Sequence, residues 1–218
     1  WGWQFDRFLT EDDFNADGSL KAGLPDQTKV FPAGYQFAPG DVLYKDLDNN
    51  GEIVKQTNTN DKGDLSVIGN ALPRLQFGLN LDAAWKGFDI SMFFQGVAKR
   101  KLWAAGNQVL PGFTTGEPFY KGAEDYWTPE NTDAFYPRPM DYKQSASGNY
   151  SVNDRYLLNM AYLRLKTFTV GYSLPKVWLS KFKVQGLRVY FTGENLFTID
   201  GVKPAIDPEI GIRTASGK

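Results

Sequence analysis

The sequence predicts an all-β fold built from antiparallel strands, and three observations support this prediction. Aromatic residues account for 15% of the 218 residues, and aromatic side chains are enriched in strands. Two pairs of segments alternate apolar and polar residues with a period of two, as half-buried strands do. The segments between them are rich in Gly, Pro, Asn and Asp, which interrupt regular structure.

The first hairpin is predicted after a long polar region. Residues 1–74 are rich in turn-forming residues, and we expect them to form a loop region. A strand follows at residues 75–85, where LQFGLNLDAAW places an apolar side chain at every second position. Lys86 and Gly87 then provide a tight turn, and residues 88–98 alternate in the same way. The two strands together predict a β-hairpin.

A second pair of strands is predicted at residues 162–172 and 186–199. The alternation of the first of these strands slips between Leu165 and Phe168. One extra residue in a strand reverses the facing of the residues that follow, so we expect a β-bulge near Lys166–Thr167. The short connection between the two strands is predicted to contain an amphipathic helical turn.

Long and short connections alternate along the chain. Residues 86–87 and 173–185 are short connections, whereas residues 1–74, 99–161 and 199–218 are long and polar. Outer-membrane barrels combine short periplasmic turns with long extracellular loops in this way, and their strands are of similar length. The strands of a water-soluble sandwich also alternate when one face is buried. The pattern by itself leaves both architectures open.

Composition excludes several classes of function. The chain has no Cys and no His, which removes disulfides, thiolate or histidine metal sites and the Ser-His-Asp and Cys-His nucleophiles. Its net charge of −1 gives no basic footprint for a nucleic-acid partner. The remaining carboxylates show no spacing that pairs them for catalysis, so we do not expect an enzyme. Residues 1–20 lack a signal-peptide pattern, and no apolar run is long enough for a transmembrane helix.

One loop has the beginning of a calcium-binding pattern. In DLDNNGE the acidic and amide side chains recur at alternate positions before a glycine, and these are Asp46, Asp48, Asn50 and Gly51. This order matches positions 1, 3, 5 and 6 of a calcium loop, and Glu52 at position 7 would offer its backbone carbonyl. Position 12 is Thr57, which has no carboxylate. A solvated turn rich in Asn, Asp and Gly remains the alternative.

Six phrases together resemble the C-terminal part of the SusC/RagA-like family of TonB-dependent outer-membrane transporters of Bacteroidetes. They occur in order between residues 39 and 209 as PGDVLYKDLDNNGEI, DLSVIGNALPRLQFGLNLDAAWKGFDISMFFQG, YWTPENTDAFYPR, AYLRLKTFTVGYSLP, VYFTGENLFT and DPE. The resemblance implies a fold class: an all-β, C-terminal segment of a large antiparallel transmembrane β-barrel with long extracellular loops. It divides the chain into an extracellular region at 1–74 and barrel strands with outer loops at 75–218. The plug, most strands and the final strand are expected to lie outside this chain.

The same resemblance implies a function in the cell outer membrane. The expected protein imports oligosaccharides or peptides, is powered by the TonB complex through the absent plug, and works with a SusD-like surface lipoprotein. Outer-membrane lipid and lipopolysaccharide are expected to surround it, and the basic run Lys99–Lys101 would pair with lipopolysaccharide phosphates. Family relatives place an acid before the VIG phrase, which makes Asp64 the last expected ligand of a structural Ca²⁺ held with Asp46, Asp48, Asn50 and Glu52. Residues 54–63 would then be an insertion in the loop, and Asp61 competes with Asp64 for the same role.

A second hypothesis does not require a membrane. The chain would then be a secreted, calcium-braced, all-β module that binds glycans through exposed aromatic side chains. Trp103, Tyr120 and Trp127 are the candidate side chains for that role.

Overall fold

A computed structural model describes residues 1–58, 61–106, 109–113, 120–140, 148–203 and 206–209. These residues form ten strands, one short α-helix and three 3₁₀ turns. In chain order the strands and the helix are β1 (Phe5–Phe8), β2 (Val42–Tyr44), β3 (Lys55–Asn58), β4 (Asp61–Gly63), β5 (Leu75–Trp85), β6 (Phe88–Ala98), β7 (Lys101–Leu102), β8 (Leu158–Asn159), β9 (Tyr162–Ser173), α1 (Lys176–Leu179) and β10 (Arg188–Asp200). The all-β fold class is confirmed. Among these residues, no helix is long and apolar enough to cross a membrane.

The chain forms two compact units, and the second contains the long strands. This unit comprises residues 70–101 and the described residues between 159 and 209. Its sheet is antiparallel throughout, with the strand order β10-β9-β6-β5. The alternating segments of the sequence correspond to these four strands, and β10 begins two residues later than expected. Leu187 is left outside the strand, where its carbonyl accepts a hydrogen bond of 2.9 Å from the amide of Leu174.

The register gives this sheet one apolar and one polar face. Leu81 pairs with Met92, Met92 with Phe168, and Phe168 with Gly193. Residues directly opposite one another in an antiparallel ladder share a face. The apolar face is formed by Leu75, Phe77, Leu79, Leu81, Ala83 and Trp85 of β5, Phe88, Ile90, Met92, Phe94, Gly96 and Ala98 of β6, Leu163, Leu165, Phe168, Val170 and Tyr172 of β9, and Val189, Phe191, Gly193, Phe197 and Ile199 of β10.

A β-bulge keeps the apolar face of β9 continuous. Against β6, Phe93 pairs with Thr167 and Phe94 with Leu165, so the ladder skips Lys166. Leu165 and Phe168 therefore lie on the same face although they are three residues apart. The ladder between β9 and β10 is also irregular at this level, and Asn195 adopts a left-handed conformation with φ of 51°. The bulge that the slipped alternation predicted near Lys166–Thr167 is confirmed.

The first unit comprises residues 1–69 and the described residues between 102 and 158. Its core packs β1 and β2 against side chains from the loops that follow. The buried members are Trp3, Phe8, Phe31, Val42, Tyr44, Ile53, Trp127 and Ala134. In this unit the described residues between 102 and 158 group with residues 1–69, whereas the sequence division at residue 74 assigned them to the strand region as outer loops.

Side-chain amides complete the second edge of β2. The amide of Val42 donates to Asn149 Oδ1 at 2.8 Å, and the amide of Tyr44 donates to Gln27 Oε1 at 3.2 Å. Gln27 Nε2 in turn donates to the carbonyl of Val42 at 2.8 Å. Both amide side chains are buried. They satisfy backbone groups that would otherwise need another strand, because a buried unpaired N–H or C=O is costly.

A buried ion pair joins distant segments of the same unit. Asp41 is completely buried, and Arg138 Nε donates to its Oδ1 at 2.8 Å. Asp41 also accepts hydrogen bonds from Tyr35 Oη, Asn149 Nδ2 and the amide of Ala38, each at 2.9 Å. A buried carboxylate needs this degree of pairing, because its desolvation is otherwise strongly unfavourable.

Candidate functional site

Three of the predicted calcium ligands come together in the first unit. Carboxylate oxygens of Asp46, Asp48 and Asp64 lie within 4.8 Å of one another. Asp64 is completely buried, whereas Asp48 is exposed. Three carboxylates at this separation repel one another unless a cation or a proton intervenes. A hard cation that takes flexible oxygen ligands, such as Ca²⁺, fits this donor set.

The residues between Gly51 and Asp64 fold back on themselves. Strands β3 and β4 form an antiparallel hairpin in which Lys55 pairs with Gly63. The amide of Asp64 then donates to the carbonyl of Val54 at 2.9 Å. The hairpin therefore returns Asp64 to the start of the loop, and the insertion does not have to be closed as a long flexible segment.

Asp64 is held in place by backbone donors. Its Oδ1 accepts from the amide of Leu47 at 2.7 Å, and its Oδ2 accepts from the amide of Val54 at 2.8 Å. Asp46 is fixed similarly, since its Oδ2 accepts from the amide of Gly51 at 2.8 Å. The positive φ of 87° at Gly51 provides the sharp turn that this contact requires. Hydrogen bonds from the backbone therefore position the carboxylates of Asp46 and Asp64 without a bound ion.

The side chains of Asn50 and Glu52 are already engaged with other protein groups. Asn50 Oδ1 accepts from the amide of Glu52 at 2.8 Å, and Asn50 Nδ2 donates to Asp48 Oδ2 at 3.1 Å. The carboxylate of Glu52 is in an ion pair with Lys29, with 2.5 Å between Nζ and Oε2. The side chain of Glu52 is therefore engaged elsewhere, which agrees with the expectation that only its carbonyl would be offered.

The pKa values of Asp46 and Asp48 are shifted in opposite directions. Partial desolvation is the largest influence and raises the pKa of Asp48, with the charges of Asp64 and Asp46 adding to the increase. Partial desolvation is also the largest single influence on Asp46, but the backbone donors of Gly51, Asn49 and Asn50 together lower its pKa. Of these two residues, Asp48 is therefore the one whose charged form is disfavoured by the neighbouring carboxylates.

The polar face of the four-stranded sheet carries a network of ion pairs. Arg188 Nε donates to Asp89 Oδ1 at 3.0 Å, across strands β10 and β6. Arg164 of β9 donates to Asp207 Oδ1 at 2.7 Å and to Thr198 Oγ1 at 2.6 Å. Lys166, the bulged residue, lies 2.9 Å from Glu209 Oε2, and Arg164 Nη1 lies 3.0 Å from the same oxygen.

The ion-pair network gives a structural role to the two acidic residues of the DPE phrase. Asp207 and Glu209 follow β10 and bind the cationic side chains of β9 from the polar side of the sheet. The basic residue Lys166 reaches that cluster because the bulge takes it out of the regular alternation. In the sequence the phrase indicates only the resemblance, and this role of its carboxylates was not predicted. Arg164 and Lys166 were the signal in the sequence, since they carry positive charge in a strand whose other polar residues are uncharged.

Tyrosine and proline side chains line a cleft of about 610 Å³ in the first unit. The lining includes Tyr120, Tyr126, Tyr136 and Tyr150. Tyr136 Oη donates to the carbonyl of Val109 at 2.9 Å, whereas the rings of Tyr120 and Tyr126 are exposed. Of the three aromatic residues considered for glycan binding, Tyr120 therefore contributes to a cleft.

The exposed position expected for Trp127 is wrong. Trp127 is 6% exposed and belongs to the core of the first unit. Its ring packs against Gly40, where an added Cβ atom would lie 2.5 Å from Trp127 Cε3. Trp103 is half-buried. Sequence reasoning missed this because an aromatic residue in a polar loop gives no local sign of burial by distant segments.

Sequence comparison relates the chain to TonB-dependent receptors. The chain is 33% identical over 181 residues to TonB-dependent receptor P3 of Formosa agariphila, a match covering 80% of this chain and 16% of that protein. It is 25% identical over 210 residues to TonB-dependent receptor SusC of Bacteroides thetaiotaomicron, a match covering 92% of this chain and 20% of that protein. No family model matches the chain. The chain thus spans a fifth or less of the length of these relatives.

Structural comparison relates the fold of the chain to that of a solved importer. The chain aligns with a structure of the RagAB peptide importer in the open-open state at a TM-score of 0.55 and 17% sequence identity. The alignment covers 95% of this chain and 19% of that chain. The relatives in sequence place the chain in the SusC/RagA-like family of TonB-dependent receptors, and the structural likeness agrees with the fold of a barrel segment.

Proposed function

We propose that the chain is part of an outer-membrane importer of oligosaccharides or peptides. In this proposal β5, β6, β9 and β10 form part of the barrel wall, with the apolar face of the sheet toward lipid and the polar face toward the lumen. The observation that carries the proposal is the exposed apolar face. Leu79, Phe191 and Ile199 are 49%, 62% and 62% exposed, and the neighbouring strands supply only more apolar side chains on that face.

The lengths of the strands agree with this role. The four strands contain 11, 11, 12 and 13 residues, and a tilted transmembrane strand needs about 9–11. A water-soluble sandwich would cover such a face with a second sheet. Within the described residues, the remaining sheets are two-stranded and short. Lipid is therefore the natural cover for a face of this size.

The energy source and the partner follow from family membership and belong to the proposal. The relatives are named TonB-dependent receptors, so we infer that transport by the whole protein draws on the TonB complex. The solved neighbour is the RagAB peptide importer and one relative is the receptor SusC, and we infer that a SusD-like surface lipoprotein acts with this protein. The cleft containing Tyr120 and Tyr126 is a candidate surface for substrate or partner contact.

The proposal fixes the topology of the connections and can be tested by labelling. Residues 102–158 are expected outside the cell and residues 174–187 in the periplasm, because long barrel loops are extracellular and short turns periplasmic. Thr132→Cys and Ser180→Cys should be introduced singly into the longer protein that contains this chain, in a background without other cysteines. An impermeant thiol reagent applied to intact cells should label Thr132→Cys and leave Ser180→Cys unlabelled.

Permeabilised cells provide the control for this experiment, since both cysteines should then react. Labelling of Ser180→Cys but not Thr132→Cys on intact cells would show the reverse orientation. Recovery of the whole protein in the soluble fraction would reject the membrane function and favour the secreted module.

We also propose that the loop formed by Asp46, Asp48, Asn50, Glu52 and Asp64 binds a structural Ca²⁺. The convergence of three carboxylates supports this proposal. The ion would be held by Asp46, Asp48 and Asp64, with the Asn50 side chain and the Glu52 carbonyl adding oxygen ligands. It would relieve the repulsion at Asp48 and fasten the hairpin of β3 and β4 to the loop before it.

Replacement of Asp46 is expected to remove the calcium dependence of stability. In the parent protein, added Ca²⁺ should raise the melting temperature, because a ligand that binds only the folded state stabilises it. Asp46→Asn should abolish that increase, and Asp17→Asn, in an exposed turn outside the cluster, should retain it. The measurement is thermal unfolding with Ca²⁺ and with a chelator. An equal melting temperature of the parent protein in both conditions would identify the loop as a turn.

A further inference from the structure

An unusual charge distribution marks the end of the sheet where the two hairpins turn. We call residues 174–187 the basic connection; it links β9 to β10 and includes α1. It contains Lys176, Lys181 and Lys183 and no acidic residue. All three lysines are exposed. None of them forms an ion pair within the described residues.

The basic connection also exposes large apolar side chains. Val177, Trp178 and Phe182 are 75%, 60% and 77% exposed. Leu179, in contrast, is buried, and its carbonyl accepts a hydrogen bond of 3.2 Å from the amide of Val184. The segment is therefore folded, with one apolar residue packed inward and the rest turned outward. An ordered turn that presents Trp and Phe beside Lys has the composition of a membrane-interface segment.

The adjacent hairpin turn adds to the same surface. The carbonyl of Gly87 accepts a hydrogen bond of 2.8 Å from the amide of Ser173, which places the turn between β5 and β6 beside the basic connection. That turn contributes Lys86, whose Nζ lies 4.7 Å from the ring centroid of Trp85. The carboxylate of Asp89, at the start of β6, is already paired with Arg188. The edge therefore presents four lysines from two connections.

We infer that the basic connection and Lys86 bind the phosphate groups of anionic phospholipids at the periplasmic surface of the membrane. The inference rests on the proposed membrane function and adds a lipid class and a set of residues to it. Two features of the structure select this occupant. The apolar face of the sheet runs directly into the edge through Trp85, Phe88 and Tyr172, so lipid that covers the face also reaches the lysines. The unpaired positive charge then favours an anionic headgroup over a zwitterionic one.

Energy transfer to labelled lipids tests this inference. The longer protein that contains this chain is reconstituted in phosphatidylcholine vesicles with phosphatidylglycerol, with a donor dye attached at Ser180→Cys. Transfer to acyl-labelled phosphatidylglycerol, divided by transfer to acyl-labelled phosphatidylcholine, measures local enrichment of the anionic lipid. The ratio should exceed one in the parent protein. With Lys176→Gln, Lys181→Gln and Lys183→Gln combined, it should approach one, since each lysine near an anionic surface contributes about a factor of five.

A matched variant controls for the loss of charge. Lys21→Gln, Lys45→Gln and Lys121→Gln remove the same charge from exposed positions of the first unit, and they should leave the ratio unchanged. Arg at the three positions of the basic connection should restore the ratio. A parent ratio of one, or an equal fall in both Gln variants, would overturn the inference while leaving the membrane function intact. Protein that does not associate with the vesicles during reconstitution would overturn the proposed function as well.

Discussion

Arginine at Leu81 is expected to destabilise the inserted protein by about 2–4 kcal/mol, the cost of a basic side chain on the lipid face near the middle of a membrane. Arginine at Ile90, which lies nearer the turn end of β6, is expected to cost less, because the cost falls toward the membrane surface. Leu81 lies in the apolar row of β5, and Ile90 pairs with Ala83 and Val170 on the same face. Asp82 and Asp89 are their neighbours in sequence but lie on the polar face, so no carboxylate of the apolar face compensates the new charge. The free energy of unfolding from lipid vesicles, measured with urea or guanidinium for the whole protein, gives the magnitude.

Asn80→Arg is the matched control for this prediction. Asn80 is adjacent to Leu81 in β5 but lies on the polar face, opposite Phe93. An arginine there meets the polar side of the sheet and is expected to change the unfolding free energy by about 1 kcal/mol or less. Equal losses at the two positions would mean that the two faces do not differ in environment, and would contradict the assignment of the apolar face to lipid.

Removal of the Asp41 carboxylate is expected to destabilise the first unit by about 3–5 kcal/mol, because it leaves the charge of Arg138 without its buried partner. Asp41→Ala also leaves Tyr35, Asn149 and the amide of Ala38 without their common acceptor. Chemical unfolding, followed by the fluorescence of the buried Trp127, would measure the loss. Lys29→Ala removes an exposed ion pair and should cost about 0–1 kcal/mol.

A double variant separates the ionic contribution from packing. Arg138→Met combined with Asp41→Asn removes both charges and keeps side chains of similar size. Stability should return in part, since replacing a whole buried ion pair is far less costly than breaking it. If the double variant is as unstable as the sum of the two single variants, the ion pair is not the source of the effect.

The four long strands could be predicted from sequence because the apolar and polar faces of the sheet impose opposite requirements on successive residues. Every second residue from Leu75 to Trp85 must be apolar, and such a pattern is visible without any knowledge of the partner strands. The bulge at Lys166 was predictable for the same reason, since it interrupts an otherwise strict alternation. Hydrophobic period and strand facing are local properties, and local properties can be read from one sequence.

The organisation of the first unit could not be predicted in this way. Its contacts join residues far apart in the chain, such as Asn149 with the amide of Val42. A polar residue in a loop carries no sign that it will be buried and will satisfy a strand edge. The carboxylate cluster was partly predictable, because Asp46 and Asp48 have a local spacing. The position of Asp64 depended on the folding of the intervening hairpin, which the sequence pattern did not reveal.

The amide-completed edge of β2 has a consequence for self-association. Open strand edges recruit strands from other molecules, and proteins must block them to avoid aggregation. Gln27 and Asn149 occupy the donors and acceptors of this edge from within the same chain. A second copy therefore finds these donors and acceptors of β2 already occupied, even at high local concentration. Exchange of either amide for an apolar residue would open a site for intermolecular pairing.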